Sequence, residues 1–256
     1  MILAPLRLPT IKPGSGLNTV VIEELERQRF ALQTRDVLAV ASKVASLCER
    51  RIARLDEVVV SERAEGLAKR WRMNEQLTQL VLEEADEVLG GVKGFLLTIR
   101  NGVLTANSGV DLKNSPIGTA TLWPKNPDKS ASELRRSLEA RYQKRLGVLI
   151  VDSRVTPLRL GTVGLAIGAS GFLPVKDDRG KPDLYGRRVR VTQTNIIDDL
   201  ASSAHLLMGE VNERIGVVII RNAPIRLDDK ATSRRARLSR RRCLISSNLS
   251  APINRS

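Results

Sequence analysis

Apolar positions along the chain follow two periods, and the switches between them mark out the elements. Ile2–Leu8 reads as a strand, after which Pro9, Pro13, Gly14 and Gly16 punctuate a loop. Helical spacing then runs from Asn18 to Phe30, with Asn18 or Thr19 able to cap it. Val37-Leu38-Ala39-Val40-Ala41 is a short apolar run bounded by polar residues, the pattern of a buried strand. Val58–Val60 predicts another strand. Two helices follow it, one capped by Ser61 and running through Arg70, the other capped by Asn74 and running to Leu89.

The clearest local signal is a hairpin. Phe95–Arg100 and Val103–Ala106 flank Asn101-Gly102, the pair that best accepts the positive φ angles of a type I′ turn. Ser130-Ala131-Ser132-Glu133 matches a capping box, and the segment to Leu146 has helical spacing and stops at Gly147. Val148–Val151, Arg188–Thr194 and Gly216–Arg221 are predicted as strands, with a helix from Ile196 to Met208 between the last two. Hairpins mixed with helices argue for an α+β fold rather than a repeated βαβ order, and no internal repeat is visible.

Composition narrows the classes. Among 256 residues there are two cysteines, Cys48 and Cys243, which excludes a disulfide framework and fits a reducing compartment. The single histidine, His205, removes multi-histidine zinc sites, and 3% aromatics leave little for base-stacking platforms. No apolar run is long enough to cross a bilayer, and Met1-Ile2-Leu3-Ala4-Pro5-Leu6-Arg7 lacks the order of a signal peptide, so a cytoplasmic protein without membrane attachment is expected.

The net charge of +14 is unevenly placed. Residues 230–256 hold Lys230, Arg234, Arg235, Arg237, Arg240, Arg241, Arg242 and Arg255 and no acid, more than half of the excess. Residues 1–229 read as the folded body and 230–256 as a basic tail, expected to be a flexible, solvated appendage; a contact with an anionic partner such as nucleic acid and an ordered terminal helix are the alternatives.

Three acids stand out because each is read as following or sitting beside a strand among small or turn-forming residues: Asp111, Asp152 and Glu210. Carboxylates so placed can point into a cleft and, with the Ser153 hydroxyl, offer the oxygen donors that hard divalent cations take. Taken one at a time they read equally as caps or solvated loop charges. The run GTVGLAIGASG carries Gly161, Gly164, Gly168 and Gly171 but matches neither a Walker nor a Rossmann pattern, and its glycines read mainly as sites of close backbone packing. His205 reads as a surface or interface residue, Asp198-Asp199 as a helix-start acidic pair, and Trp71 and Trp123 as packing anchors.

Several stretches, in order, resemble the GTP-dependent coenzyme F420-0:L-glutamate ligase family. They are Leu8-Pro9-Thr10-Ile11-Lys12-Pro13-Gly14, Asp36–Lys43, Ser61–Ala64, Asn107–Asp111 with Asn114, Asp152-Ser153 leading into Gly164–Gly168, Asp183–Arg187 with Val191-Thr192, and Leu207-Met208-Gly209-Glu210. The resemblance covers residues 5–222. It implies two interleaved α+β subdomains with mixed or antiparallel sheets, an intertwined homodimer, GTP as co-substrate, two Mg²⁺ or Mn²⁺ ions, and K⁺ as an activator. Carried over by position, Leu8, Pro9, Thr10, Ile11, Ser42, Lys43, Asn114, Met208, Gly209, Glu210, Val211, Asn212, Glu213, Arg214 and Ile215 would line the nucleotide site. Asp111 and Asp152 would hold one metal; Ser153, where the family commonly has Thr, and Glu210 would hold the other. Asp111, Asp152 and Glu210 would be the catalytic carboxylates.

The implied reaction transfers the γ-phosphoryl of GTP to a carboxylate, and the amine of L-glutamate attacks the acyl phosphate. Two departures stand against the pattern. Leu47 occupies a position where the family commonly has Lys, and Val155-Thr156-Pro157-Leu158-Arg159 replaces a Gly-Arg segment. An F420 precursor is the expected acceptor; a folate γ-glutamate ligase of the same superfamily and a non-catalytic nucleic-acid-binding relative are the alternatives.

Overall fold

The structure, a computed structural model, describes residues 1–249. In chain order its strands and α-helices are β1 (Ile2–Arg7), α1 (Leu17–Arg27), β2 (Val37–Ala41), α2 (Ser42–Cys48), β3 (Ile52–Arg54), α3 (Glu62–Trp71), α4 (Glu75–Glu84) and β4 (Glu87–Val92). Then come β5 (Phe95–Arg100), β6 (Val103–Ala106), β7 (Thr119–Thr121), α5 (Pro127–Tyr142), β8 (Gly147–Val155) and β9 (Thr162–Phe172). The last are β10 (Val175–Asp177), β11 (Gln193–Asn195), α6 (Ile196–Met208), β12 (Ile215–Arg221) and β13 (Leu227–Thr232). The fold is α+β, as expected.

A six-stranded mixed sheet, ordered β1-β12-β2-β8-β9-β13, forms the centre. Only β2 and β8 are parallel neighbours in it. Apolar side chains alternate along its inner strands, so one sheet supports two cores. Leu38, Val40, Val148, Ile150, Val217 and Ile219 pack toward Val21 and Leu25 of α1 and Leu134 and Leu138 of α5. Their chain neighbours Val37, Ala39, Leu149, Val151, Val218 and Ile220 pack toward Ile197, Leu200, Ala201 and Ala204 of α6. Pro5 is tolerated in β1 because that strand is an edge. A third core, with Leu67, Leu80, Val88 and Leu96, joins α3 and α4 to the β4-β5-β6 sheet.

Most of the glycine-rich run forms β9, a strand absent from the elements the sequence pattern predicts. A Cβ at Gly164 would lie 2.3 Å from the Ala201 carbonyl oxygen of α6, and one at Gly168 would lie 2.4 Å from Pro127 of α5. Glycine here lets helices on both faces come down onto one strand.

Other boundaries also differ. Val58–Val60 has no sheet partner, and Val59 is 86% exposed, so the apolar run there is a connection. The helix at Asn74 ends at Glu84, and Glu87–Leu89 belongs to β4 instead. Helix α5 begins at Pro127 under an Asn126 cap and ends at Tyr142, where Gln143 turns left-handed at φ 53°. Of Arg188–Thr194, only Gln193 and Thr194 enter a strand. The boundary at 229 falls inside β13, which pairs with β9, and 3₁₀ turns continue to Asn248. Within this segment the Arg237 guanidinium donates to the Asn101 carbonyl at 2.6 Å and Arg240 pairs with Glu87 at 2.7 Å. Arg255 lies outside the described residues. Among the described residues, no helix is long and apolar enough to cross a membrane.

Candidate active site

Four chain segments meet at one end of the central sheet because of its strand order. The parallel register pairs Ala41 with Val151, so Ser42-Lys43, which open α2 where β2 ends, lie beside Asp152-Ser153, where β8 runs on paired with β9. Antiparallel pairing puts the start of β12 opposite the end of β2, and the end of β1 opposite the start of β12. The Leu8 N–H donates to the Arg214 carbonyl at 2.9 Å and holds the loop after β1 against the loop before β12. Asp111 arrives from outside the sheet, fixed by a two-way backbone bridge to Thr121 of 3.0 and 2.8 Å.

These segments enclose a cleft of about 760 Å³. Leu8, Pro9, Thr10, Ile11, Ser42, Lys43, Asn114 and all residues from Met208 to Ile215 line it, as do Asp111, Asp152 and Ser153. Every site position named from the sequence therefore opens onto a single space. The glycines of β9 do not line it; their role is packing.

The three carboxylates share the cleft without forming a cluster. Asp111 Oδ2 accepts from Lys43 Nζ at 2.6 Å and Oδ1 from the Lys113 N–H at 2.9 Å. Lys43 Nζ also donates to the Lys113 carbonyl. Asp152 Oδ1 accepts from the Ser153 N–H at 2.8 Å, and Oδ2 accepts from the Trp123 indole N–H. Glu210 Oε2 meets Lys113 Nζ at 2.5 Å, while Oε1 lies 2.7 Å from His205 Nε2 and accepts from the Thr162 hydroxyl at 3.1 Å.

The surroundings move these acids in opposite directions. Desolvation pushes the Asp152 carboxyl above the ordinary Asp range, against the pull of its Ser153 and Trp123 hydrogen bonds and the Lys43 charge. Glu210 also feels desolvation, but the hydrogen bonds from Lys113, His205 and Thr162 together with the Lys113 charge outweigh it and hold its carboxyl at about 2. Lys113 is raised in turn, chiefly by its bond to Glu210.

Among the described residues, no group of three or more His, Cys, Asp or Glu stands close enough to hold a metal ion. The donor chemistry nevertheless suits a hard divalent cation: Asp111, Asp152, Glu210 and Ser153 present oxygen only. Positive charge is already drawn to two of these acids, Lys43 to Asp111 and Lys113 to Glu210. Asp152, held above its usual range, is the carboxylate that a further cation would most relieve.

Lys113, His205, Thr162 and Trp123 were not foreseen as contributors to this site. Lys113 and Glu210 stand 97 positions apart, and no spacing in the sequence joins them. His205 had a usable signal, since it lies five residues before Glu210 across the end of α6.

Residues 5–222 match the family described as F420-0:Gamma-glutamyl ligase. The chain is 40% identical over 221 residues to the coenzyme F420:L-glutamate ligase of Methanocaldococcus jannaschii, covering 86% of this chain and 87% of that one. It is 41% identical over 214 residues to the protein of the same name from Archaeoglobus fulgidus, covering 84% of each. With that of Methanopyrus kandleri it shares 38% over 228 residues, 89% of this chain and 88% of the other. Likeness of this extent, spanning every segment that builds the cleft, makes the chain a member of the F420-0:gamma-glutamyl ligase family.

Proposed function

We propose that this protein is a GTP- and divalent-metal-dependent ligase that forms a γ-glutamyl amide between L-glutamate and a coenzyme F420 precursor. The observation that carries the reading is the meeting, in one cleft, of an apolar wall, lysines and oxygen-only acids. Leu8, Ile11, Met208 and Ile215 supply surface against which a base can lie, and Lys12, Lys43, Lys113 and Arg214 supply charge for phosphates. The printed names of the relatives give the acceptor class.

The reaction has two steps. The acceptor carboxylate takes the γ-phosphoryl group of GTP, giving an acyl phosphate and GDP. The amine of L-glutamate then attacks the acyl carbon, the amide bond forms, phosphate leaves and the amine loses a proton. Mg²⁺ or Mn²⁺, when bound, supplies neutralisation of the charge that develops on the transferred group. Asp111, Asp152, Glu210 and Ser153 are the residues that would hold two such ions. Lys43 keeps the Asp111 loop docked against the start of α2, and Asn114, whose amide donates to the Val211 carbonyl at 2.6 Å, ties that loop to the segment before β12. A homodimer of two-subdomain protomers, with K⁺ as activator, belongs to the same proposal.

Incubation with GTP, Mg²⁺ or Mn²⁺, L-glutamate and an F420 precursor, followed by mass spectrometry, tests it. A product heavier by one glutamyl unit with matching phosphate release is expected. A glutamyl product formed only with folate would move the acceptor to the other branch of the superfamily. An absence of product with either acceptor would overturn ligation.

A further inference from the structure

Lys113 reaches from the loop after Asp111 to Glu210, one of the carboxylates proposed above to hold a cation. The backbone of Lys113 is fixed on both sides: its N–H donates to Asp111, its carbonyl accepts from Lys43, and Asn114 beside it is tied to Val211. Its side chain is half exposed and crosses the cleft to set the ammonium 2.5 Å from Glu210 Oε2. The other oxygen of Glu210 is held separately by His205 and Thr162, so that carboxylate keeps its position without the lysine. Glu210 thus has one oxygen anchored to the wall and one covered by a movable cation.

An ammonium and a divalent cation compete for that second oxygen, since like charges at contact distance repel. A lysine is a compact, hydrated point charge on a flexible stem, able to leave while its backbone stays in place. The anions it would meet within the same cleft are phosphates, for which lysine is a common partner. Resting on the nucleotide reading above, we propose that Lys113 is an exchange residue: it covers Glu210 in the free protein and turns onto the phosphates of GTP when a divalent cation takes the carboxylate.

Exchange requires two effects of opposite sign from one substitution, which neither a static ion pair nor a simple plug would give. In the full-length protein, Lys113→Met removes the charge and keeps the length. Mn²⁺ alone, followed by the electron paramagnetic resonance of the free ion, is expected to bind about tenfold more tightly because its competitor is gone. GTP titrated calorimetrically in saturating Mn²⁺ is expected to bind about tenfold more weakly, and Lys113→Arg to restore most of that loss. Unchanged or tighter GTP binding in Lys113→Met would overturn the phosphate role, and unchanged Mn²⁺ binding would overturn the exchange. Wild-type protein that binds neither probe would overturn the nucleotide reading itself, whereas wild-type protein that binds both, beside a variant that behaves identically, would overturn the exchange alone.

Discussion

Asp152 and Glu210 face the same cleft, yet they are built in opposite ways. Asp152 is carried at the level where β8 leaves the sheet interior and is held by two N–H groups, and desolvation makes its charge costly. Glu210 sits in the loop between α6 and β12 and is wrapped by Lys113, His205 and Thr162, which make its charge favourable. The sheet holds its acid in place with little to offset desolvation, and the loop surrounds its acid with enough hydrogen bonds and charge to outweigh it. Under the proposed GTP-dependent reaction the cleft has use for both: a fixed acid that demands a cation and one that already has a lysine beside it.

The largest expected effect removes the property the two acids share. Asp152→Asn and Glu210→Gln should each lower ligation by about three orders of magnitude, in line with the loss of an electrostatic contact at a reacting phosphoryl group. Steady-state rates on protein shown to be folded by its thermal transition check this, and near wild-type rates in either variant would remove that acid from the chemistry.

Next in size is a change that touches only the Asp152 side. Gly109 has φ +71°, and a Cβ there would fall 2.1 Å from the Trp123 indole nitrogen that serves Asp152. Gly109→Ala should cost about 2–3 kcal/mol through backbone strain and overpacking. Urea unfolding measures it, and a loss below about 0.5 kcal/mol would show that the indole can move aside freely.

The smallest effect lies in acid, where the two carboxylates should separate by sign. Glu210, near 2 in the fold against 4.5 unfolded, adds stability that is complete above 4.5 and is lost as pH falls toward about 2. Allowing for solvent screening of its half-exposed partners, this amounts to about 1–2 kcal/mol. Asp152, raised above 3.8, adds a cost at neutral pH that is relieved as pH falls through its folded value toward 3.8. Unfolding curves between pH 3 and 7 should therefore show the advantage of wild type over Glu210→Gln shrinking in acid, while wild type gains relative to Asp152→Asn. Parallel slopes for the two variants would erase the distinction.

Some of this was legible in the sequence. The hairpin at Asn101-Gly102 is set by local backbone preference, and both residues adopt the positive φ that the turn needs, 50° and 72°. The helix from Ile196 to Met208 has the boundaries its pattern predicts, with Asn195 capping it. For α5 the decisive signal was Asn126-Pro127, a cap followed by proline in the first turn, rather than the competing Ser130–Glu133 box. β9 was hidden because glycine weakens any strand reading, and its reason for being glycine lies in α5 and α6, which no local window contains. Likewise α2 follows β2 without a side-chain cap to announce it. In the site, ordered motifs led to the lining residues, but the pairing of Lys113 with Glu210 exists only once two loops have been folded against each other.

One consequence follows from His205 being the single imidazole in 256 residues and lying against Glu210. In a proton or nitrogen magnetic resonance spectrum that ring contributes an isolated set of signals, needing no assignment. What occupies the neighbouring carboxylate, whether lysine, water or a dissolved ion, will be written in its chemical shift, so the chain carries its own spectator of the events it hosts.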